Sequence, residues 1–234
     1  MKIEVCINRL EDVHFLQSFA VDRIELCIEL GCGGLTPSIA MIEKAVSISK
    51  IPIHVLVRPR SGDFFYGKET YASLLQDCVT IQSLGVAGIV TGGLTPEGLL
   101  PVAFLSQLRN NLSDCTLYFH RAFDDVAHPE DALSELIKLG FDGVLSSGQH
   151  LTAHEGIENL KHWKDIAEGG LVVMPGSGID ASNVLYFKEA GFEWVHLSAK
   201  RILTTSSVSL FNALQYGLNQ RALKDVIDKV KSNK

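Results

Sequence analysis

Long apolar runs and runs of basic residues are both missing from this 234-residue chain. No stretch approaches the roughly 18 consecutive apolar residues that a transmembrane helix needs, so we predict no membrane-spanning segment. Lysine and arginine number 21 against 27 acidic residues, which gives a formal net charge of -6. Because there is no basic stripe, neither nucleic acid nor an anionic membrane surface is an expected partner.

Cysteines are few and lack the spacing of a structural framework. There are five, an odd number, and no two of them form a CxxC pair. This pattern argues against a disulfide-stapled secreted scaffold and against a CxxC zinc site. Met1 and Lys2 lead directly into a predicted strand without an apolar segment or cleavage site, so we expect no signal peptide. The expectation is a cytoplasmic protein with reduced thiols.

Linkers, low-complexity segments and charge blocks are lacking as well, so we expect one domain over residues 1–234. The sequence instead alternates eight predicted strands with helical segments, the last helix at about 218–230. Four of these strands repeat one pattern, in which a helix end, usually closed by Gly, turns into an apolar strand. The four copies begin at Phe19, Leu84, Leu139 and Ala190.

This alternation predicts an α/β fold, and two architectures fit it: a closed (β/α)8 TIM barrel and an open doubly wound sheet. The repeated pattern falls on strands two, four, six and eight. Because alternate strands of a closed barrel fill alternate interior layers, we predict the single-domain TIM barrel. Two helix starts are predicted at Thr36-Pro37 and Thr95-Pro96, where a hydroxyl precedes Pro at the first helical position.

Polar residues recur in strands that should be wholly apolar in a buried parallel sheet. Side chains alternate between the two faces of a strand, so residues of one parity share a face. The polar parity comprises Glu4, Cys6, Glu25, Cys27, Arg58, His120, His196 and Ser198. Burying charged groups is costly unless they are paired or used. We therefore predict a functional site inside the barrel, at the carboxyl ends of the strands.

Two arginines at the end of the third predicted strand are candidates for anion binding. The guanidinium groups of Arg58 and Arg60 suit a carboxylate or a phosphate. The alternative is that they form structural ion pairs with Glu4, Glu25 or Asp63.

A glycine-rich loop adds a second candidate for the same anion. Gly176, Ser177 and Gly178 follow the seventh strand, the usual place for phosphate in this fold. A tight turn explains the glycines equally well. Ser198, at the end of the eighth strand, is the remaining anion-binding candidate.

Two histidines complete the candidate catalytic set. His120 and His196 lie on strands five and eight and suit a general acid or base, tuned by Glu4 or Glu25. Arg58 would act beside them on a charged substrate. The alternative is that both histidines are satisfied core residues.

Three cysteines are candidate metal ligands. Cys6 and Cys27 occupy inward positions on neighbouring strands, and Cys32 follows in the next loop. Adjacent strands lie about 4.8 Å apart, so thiols on them could share one soft ion, and Cu(I) accepts few, soft thiolate ligands. The alternative is that these cysteines are small buried fillers.

Long segments of the chain match the pattern of a known family. They are Glu4-Val5-Cys6, Asp22 to Cys27, Gly33 to Ser38, Arg58 to Phe64, Phe119 to Asp124, Ser147-Gly148, Met174 to Gly178 and His196 to Ala199. With these segments the chain resembles the CutC family, named for copper homeostasis. The resemblance implies a cytoplasmic TIM barrel, often oligomeric, that is associated with copper handling and has Cu(I) as its candidate metal.

Two functions therefore stand side by side. The first is a role in copper homeostasis with Cu(I) held by inward cysteines, in a homo-oligomer. The second is a TIM-barrel enzyme of the lyase, isomerase or hydrolase kind, acting on a small anionic or phosphorylated metabolite; a barrel that only binds such a ligand differs from it by lacking turnover. Residues 202–217 would form either a lid over the site or a connector to the last helix.

Overall fold

Eight parallel strands form the centre of the molecule, in a computed structural model that describes residues 1–112, 114–203 and 214–232. The strands are β1 (Lys2–Ile7), β2 (Arg23–Leu26), β3 (Ile53–Leu56), β4 (Gly88–Thr91), β5 (Thr116–Phe119), β6 (Gly143–Ser146), β7 (Val172–Pro175) and β8 (Trp194–Leu197). Each strand from β1 to β6 pairs in parallel with the next one, and β1 also pairs with β8. The spatial order of the strands is therefore their order in the chain.

The sheet closes on itself between β7 and β8. A parallel bridge joins Gly176, directly after β7, to His196 in β8. A doubly wound sheet instead changes the direction of its strand order part-way across. The predicted (β/α)8 TIM barrel is confirmed, and the open sheet is excluded.

Helices follow the strands and cover the outside of the barrel. They are α1 (Leu10–Leu16), α2 (Ile39–Ile48), α3 (Lys68–Gln82), α4 (Val102–Asn111), α5 (Pro129–Lys138), α6 (Ile157–Ala167), α7 (Val184–Glu189) and α8 (Gln220–Lys231). Short 3-10 turns at Leu30–Cys32 and Arg121–Asp125 lie in the loops after β2 and β5. Within the described residues, no helix combines the length and apolar character that crossing a membrane requires.

The two helix starts predicted at Thr-Pro pairs are wrong. Helix α2 begins after Ser38, whose hydroxyl accepts the Met41 N–H at 3.3 Å. The hydroxyl of Thr36 is used elsewhere, because it donates to the carbonyl oxygen of Arg58 and accepts the N–H of that residue. Thr95 lies in a turn before α4. In both places the hydroxyl stabilises a loop rather than a helix end.

Apolar side chains form two separate layers on the two faces of the sheet. The outer face, with Val5, Ile24, Val55 and Val195, packs in one cluster with the helices. The smaller inner cluster fills the barrel and consists of Cys6, Cys27, Leu56, Val90, Tyr118, Leu145, Met174 and Trp194. The parity predicted from the sequence thus separates the two faces, since alternate residues of each strand enter different clusters.

A short antiparallel hairpin follows the barrel, between β9 (Lys200–Ile202) and β10 (Tyr216–Leu218). The lid or connector predicted at 202–217 falls mainly on residues 204–213, which lie outside the described residues. The extent of the single domain over 1–234 stays a prediction.

Candidate functional site

A cavity of about 630 Å³ opens at the carboxyl ends of the strands. Its lining includes most of the side chains and loops predicted to act together: Cys6, Glu25, Cys32, Arg58, His120, Ser177, Gly178, His196 and Ser198. The other candidates lie elsewhere: Glu4 and Cys27 are buried, Gly176 closes the barrel, and Arg60 is exposed. Most of the polar residues selected by strand parity therefore line one cavity, and three of them, Cys6, Glu25 and His196, lie on β1, β2 and β8.

A buried ion pair lies inside the barrel beneath this cavity. Glu4 is fully buried, and Arg23, opposite it in the register of β1 and β2, donates from Nε to its Oε2 at 2.5 Å. The guanidinium carbon of Arg23 also lies 4.4 Å and 4.1 Å from the ring centroids of Tyr118 and Trp194. The pair and the two aromatic faces together stabilise a charge that would otherwise be costly to bury.

Arg23 and His54 are inward residues that were not among the predicted site residues. Both have the parity of the polar set, since Arg23 lies two residues before Glu25, and His54 pairs in register with Glu25. The signal was therefore present in the alternation itself. Burial and the nearby Arg23 lower the pKa of His54 to about 3, so this ring is neutral.

His196 connects the two carboxylates of the set. Its Nδ1 lies 2.7 Å from Glu4 Oε1, and its Nε2 lies 3.9 Å from Glu25 Oε2. The pairing of β8 with β1 places His196 directly beside Glu4, and the bridge to Gly176 fixes the strand on its other side. The ring is thus oriented by Glu4 and presents Nε2 to Glu25.

The charges of this group are set by its neighbours. Burial raises the pKa of Glu4, but Arg23 and His196 outweigh it and hold the pKa of Glu4 at about 2. Burial lowers the pKa of His196, but Glu25, Cys6 and Glu4 outweigh it and hold the pKa of His196 well above its usual range. Burial raises the pKa of Glu25, and His196 offsets only part of this rise. A protonated ring beside a carboxyl with a raised pKa is suited to proton transfer at the cavity floor.

Two of the three candidate thiols meet. Cys6 Sγ and Cys27 Sγ lie 3.4 Å apart, and both side chains are buried. The Cys27 contact and burial raise the pKa of the Cys6 thiol well above its usual range. Cys32 lies apart from this pair, because it is exposed in its 3-10 turn and its thiol donates to the Glu29 carbonyl oxygen at 3.2 Å.

The two arginines do not converge on one anion. Arg58 is buried, and its terminal nitrogens donate to the carbonyl oxygens of Cys32, Gly34 and Gly62. Arg60 is exposed and donates to Asp63 at 2.6 Å, the structural ion pair that was the alternative. The strand ends before both residues, so strand parity no longer orients their side chains.

His120 has a defined tautomer. Its Nδ1 accepts the Ala122 N–H at 3.2 Å, and burial together with the charge of Arg58 lowers the pKa of His120 to about 3. The neutral ring therefore carries its proton on Nε2. Among the described residues this buried Nε2 has no partner, so it is a free donor beside the cavity.

The loop after β7 forms a turn rather than a helix N-terminus. Ser177 and Gly178 both adopt positive φ angles, of 89° and 69°, and the Ser177 hydroxyl donates to the carbonyl oxygen of Leu151. Helix α7 starts only at Val184 and has 6 residues. Any anion binding here would depend on the backbone of the loop, not on a helix dipole.

One trio of side chains has the arrangement of a metal site. Ligand atoms of Cys6, Glu25 and His196 all lie within 4.8 Å of one another. It is the one group of three or more such residues found in the described parts of the chain. Cys27 and Cys32 are not members of it.

Comparison with known proteins identifies the family. The family model of CutC matches residues 1–201. The chain belongs to the CutC family. A CutC family protein of Glaesserella parasuis is 36% identical over 232 residues, covering 99% of this chain and 96% of that protein.

Solved structures agree with this assignment. The putative copper homeostasis protein CutC from Streptococcus agalactiae is 28% identical, covers 84% of this chain and 97% of its own, and superimposes with a TM-score of 0.79. Thiamine phosphate pyrophosphorylase from Pyrococcus furiosus, at 13% identity and a TM-score of 0.60, covers 99% of this chain and 97% of its own. That second likeness shows the barrel fold alone.

Proposed function

We propose that this CutC family member acts in copper homeostasis by holding one Cu(I) ion between Cys6 and Cys27. The observation that carries the proposal is the 3.4 Å separation of the two sulfur atoms, inside the barrel. Thiolates are soft ligands that favour Cu(I) over harder ions. The name of the related Streptococcus agalactiae protein, which refers to copper homeostasis, supports the same role.

The position of the pair also suits a soft ion. Cys6 lines the cavity, and Cys27 lies behind it with no exposed surface. An ion that enters through the cavity would meet Cys6 first and would then reach Cys27, which belongs with Cys6 and Leu56 to the inner cluster. The complete burial of Cys27 keeps water, which otherwise competes for the metal, away from that ligand.

Titration of the reduced protein with Cu(I), against a chromophoric Cu(I) chelator, tests this proposal. Cys6→Ser and Cys27→Ser each remove one of the two ligands, so each should weaken Cu(I) binding at least about tenfold, or about 1.4 kcal/mol. Cys115→Ser is the matched control, because Cys115 is also buried but belongs to the outer cluster. Wild-type affinity in the Cys6→Ser, Cys27→Ser double variant would contradict the proposal.

A Cys32→Ser variant distinguishes a copper site with two protein ligands from one with three. Because the Cys32 thiol is exposed and donates to Glu29, Cys32→Ser should leave Cu(I) affinity unchanged. A loss as large as that of Cys27→Ser would show that the loop after β2 brings a third ligand to the ion.

A second candidate function is an enzyme acting on a small anionic metabolite. Three of the buried polar atoms that lack a partner within the described residues belong to side chains lining the cavity: Glu25 Oε1, Arg58 Nε and His120 Nε2. Unpartnered buried polar groups are uncommon in native structures and point to a ligand. Arg58 and His120 would donate to an anionic oxygen of the ligand, and Glu25 with His196 would move a proton.

Binding of 2-phosphoglycolate, a small probe with both a carboxylate and a phosphate, tests this second function by calorimetry. Arg58→Met should abolish binding while Cu(I) binding persists, because Arg58 is not a thiol ligand. Arg60→Met is the matched control, since Arg60 is exposed and lies outside the cavity lining. Equal binding by wild type and Arg58→Met would exclude Arg58 as the anion-binding residue.

A further inference from the structure

The geometry points to a second metal site, which we propose is a zinc-type centre formed by Cys6, Glu25 and His196. Their ligand atoms lie within 4.8 Å of one another, and His196 Nε2 is 3.9 Å from Glu25 Oε2. Zinc bonds of about 2.0–2.3 Å in a tetrahedron place ligand atoms about 3.3–3.8 Å apart. A small inward movement of three side chains would therefore complete the coordination.

The backbone holds the three ligands on adjacent strands. Cys6 and Glu25 are register partners in β1 and β2, while His196 lies on β8, the other neighbour of β1. Ligands carried by hydrogen-bonded strands keep their spacing better than ligands on loops. The site therefore needs no segment outside the described residues.

A second layer of contacts orients the histidine for metal binding. His196 Nδ1 is engaged by Glu4 Oε1 at 2.7 Å, and Glu4 is in turn held by Arg23. A carboxylate on one ring nitrogen fixes the ring and leaves the other nitrogen for the metal, an arrangement found around protein-bound zinc. Here the free nitrogen, Nε2, faces Glu25.

The charge and the unpartnered atoms also favour a cation at this place. Arg23 pairs with Glu4, but Glu25 has no arginine or lysine among its ion-pair partners in the described residues. Oε1 of Glu25 is buried and has no hydrogen-bond partner there. A divalent ion would neutralise Glu25 together with the thiolate of Cys6, and would use the Glu25 Oε1 atom that has no partner among the described residues.

The fourth coordination position would open to the cavity, because all three ligands line it. Three protein ligands with one open position characterise catalytic rather than structural zinc sites. A metal there would polarise a bound water or a carbonyl oxygen of the ligand. This points to a small molecule with an anionic group and a polarisable carbonyl or ester as the chemical class that the centre takes.

The zinc-type centre shares only Cys6 with the proposed copper site, so the two can be separated. Glu25 and His196 distinguish the zinc site, and Cys27 distinguishes the copper site. One ion at a time would occupy Cys6. The two proposals therefore fail independently of each other.

Competition titration of the reduced, metal-free protein with Zn²⁺ tests the proposal. Wild type should bind one equivalent, and Glu25→Gln and His196→Asn should each bind Zn²⁺ at least about tenfold more weakly. Cys27→Ser should keep Zn²⁺ affinity while losing Cu(I), and Glu25→Gln should show the reverse. His162→Asn is the matched control, because His162 also pairs with a glutamate, Glu130 at 2.8 Å, but on the surface.

Cobalt(II) absorption of the wild-type protein supplies a further readout, and this first measurement does not depend on the folding of any variant. Wild-type protein loaded with Co²⁺ should show a thiolate-to-cobalt charge-transfer band and the intense visible bands of a tetrahedral ion, and Cys6→Ser should lose the first. A wild-type Co²⁺ complex without the thiolate band overturns the proposal. Zn²⁺ affinity that falls with Cys27→Ser but not with Glu25→Gln also overturns it, while leaving the copper site in place.

Discussion

Buried charged side chains inside the barrel differ in how well they are compensated. Arg23 has both a carboxylate and two aromatic faces, so removal of Glu4 would leave a buried cation with the aromatic faces but without its anionic partner. Within the described parts of the chain, the ion-pair partner of Glu25 is the more distant Nε2 of His196, at 3.9 Å. Glu4 is thus part of a structural ion pair, whereas Glu25 is available to a ligand.

The two neutral histidines make a prediction about acid stability. His54 and His120 have a pKa of about 3 in the folded protein, against about 6.5 in an unfolded chain. The unfolded chain binds the proton more readily than the folded protein does. The contribution of each histidine to the free energy of unfolding is therefore complete above pH of about 6.5 and is lost as the pH falls toward 3. The free energy of unfolding should fall by at most about 1.4 kcal/mol per pH unit for each histidine.

Urea unfolding of wild type and His54→Gln between pH of about 6.5 and about 4.5 measures this effect. The variant should lose stability with a smaller slope than wild type, because one of the two groups no longer titrates. His162→Gln, at an exposed position, serves as the control. Identical slopes for wild type and His54→Gln would contradict the assignment of a neutral buried ring.

At the scale of the strands, the sequence pattern repeated on β2, β4, β6 and β8 explains how the barrel interior is filled. Its inward positions at the starts of β2, β4, β6 and β8 are Arg23, Gly88, Gly143 and Trp194. Arg23 and Trp194 fill the side of the barrel interior near β2 and β8. Gly88 and Gly143, on the opposite side, leave room for side chains of the neighbouring strands. A Cβ at Gly88 would meet the His54 ring, and one at Gly143 would meet the Tyr118 ring. These glycines are thus required by close packing and not by the φ angle.

Gly143→Ala should therefore destabilise the protein by about 1–3 kcal/mol through overpacking. Gly67→Ala is the matched control, because a Cβ there would meet no atom of the described residues within 4 Å and its φ of -75° suits any residue. Guanidinium denaturation measures both variants. Equal stability of the two variants would show that the Tyr118 ring moves aside without cost.

In the molecule as a whole, helix α8 extends the barrel beyond the part that the family model covers. That match ends at residue 201, yet Leu223, Val226, Ile227 and Val230 of α8 are buried in the outer cluster. The ion pair between Lys231 and Asp22 at 2.8 Å further ties the end of α8 to the turn before β2. The helix is an integral part of this fold.

Leu223→Ala should consequently cost about 2–5 kcal/mol, the usual range for a buried leucine. Lys224→Ala, one position along on the exposed face of α8, should change the free energy of unfolding by less than about 0.5 kcal/mol. Chemical denaturation of both variants gives the comparison. A cost for Leu223→Ala as small as that for Lys224→Ala would mean that α8 is not docked in solution.

The assembly and the location of the protein stay predictions. The resemblance to the family predicts a homo-oligomer, and the resemblance together with the thiol content predicts a cytoplasmic protein. Light scattering on the purified full chain measures the first of these directly.

The order of residues along the chain was enough to predict the barrel and the face on which the polar residues lie. Both follow from local rules, because the alternation of side chains along a strand depends only on the backbone of that strand. Glu4, Cys6, Glu25 and His196 could therefore be placed together without coordinates.

Contacts between distant segments, in contrast, determine which of these residues are already compensated and which remain open to a ligand. Examples are the pairing of Arg23 with Glu4, the divergence of Arg58 from Arg60, and the separation of Cys32 from the thiol pair. Beyond the end of a strand, alternation no longer constrains the direction of a side chain. The directions of side chains on the loops at the rim of the barrel could therefore not be predicted from the sequence.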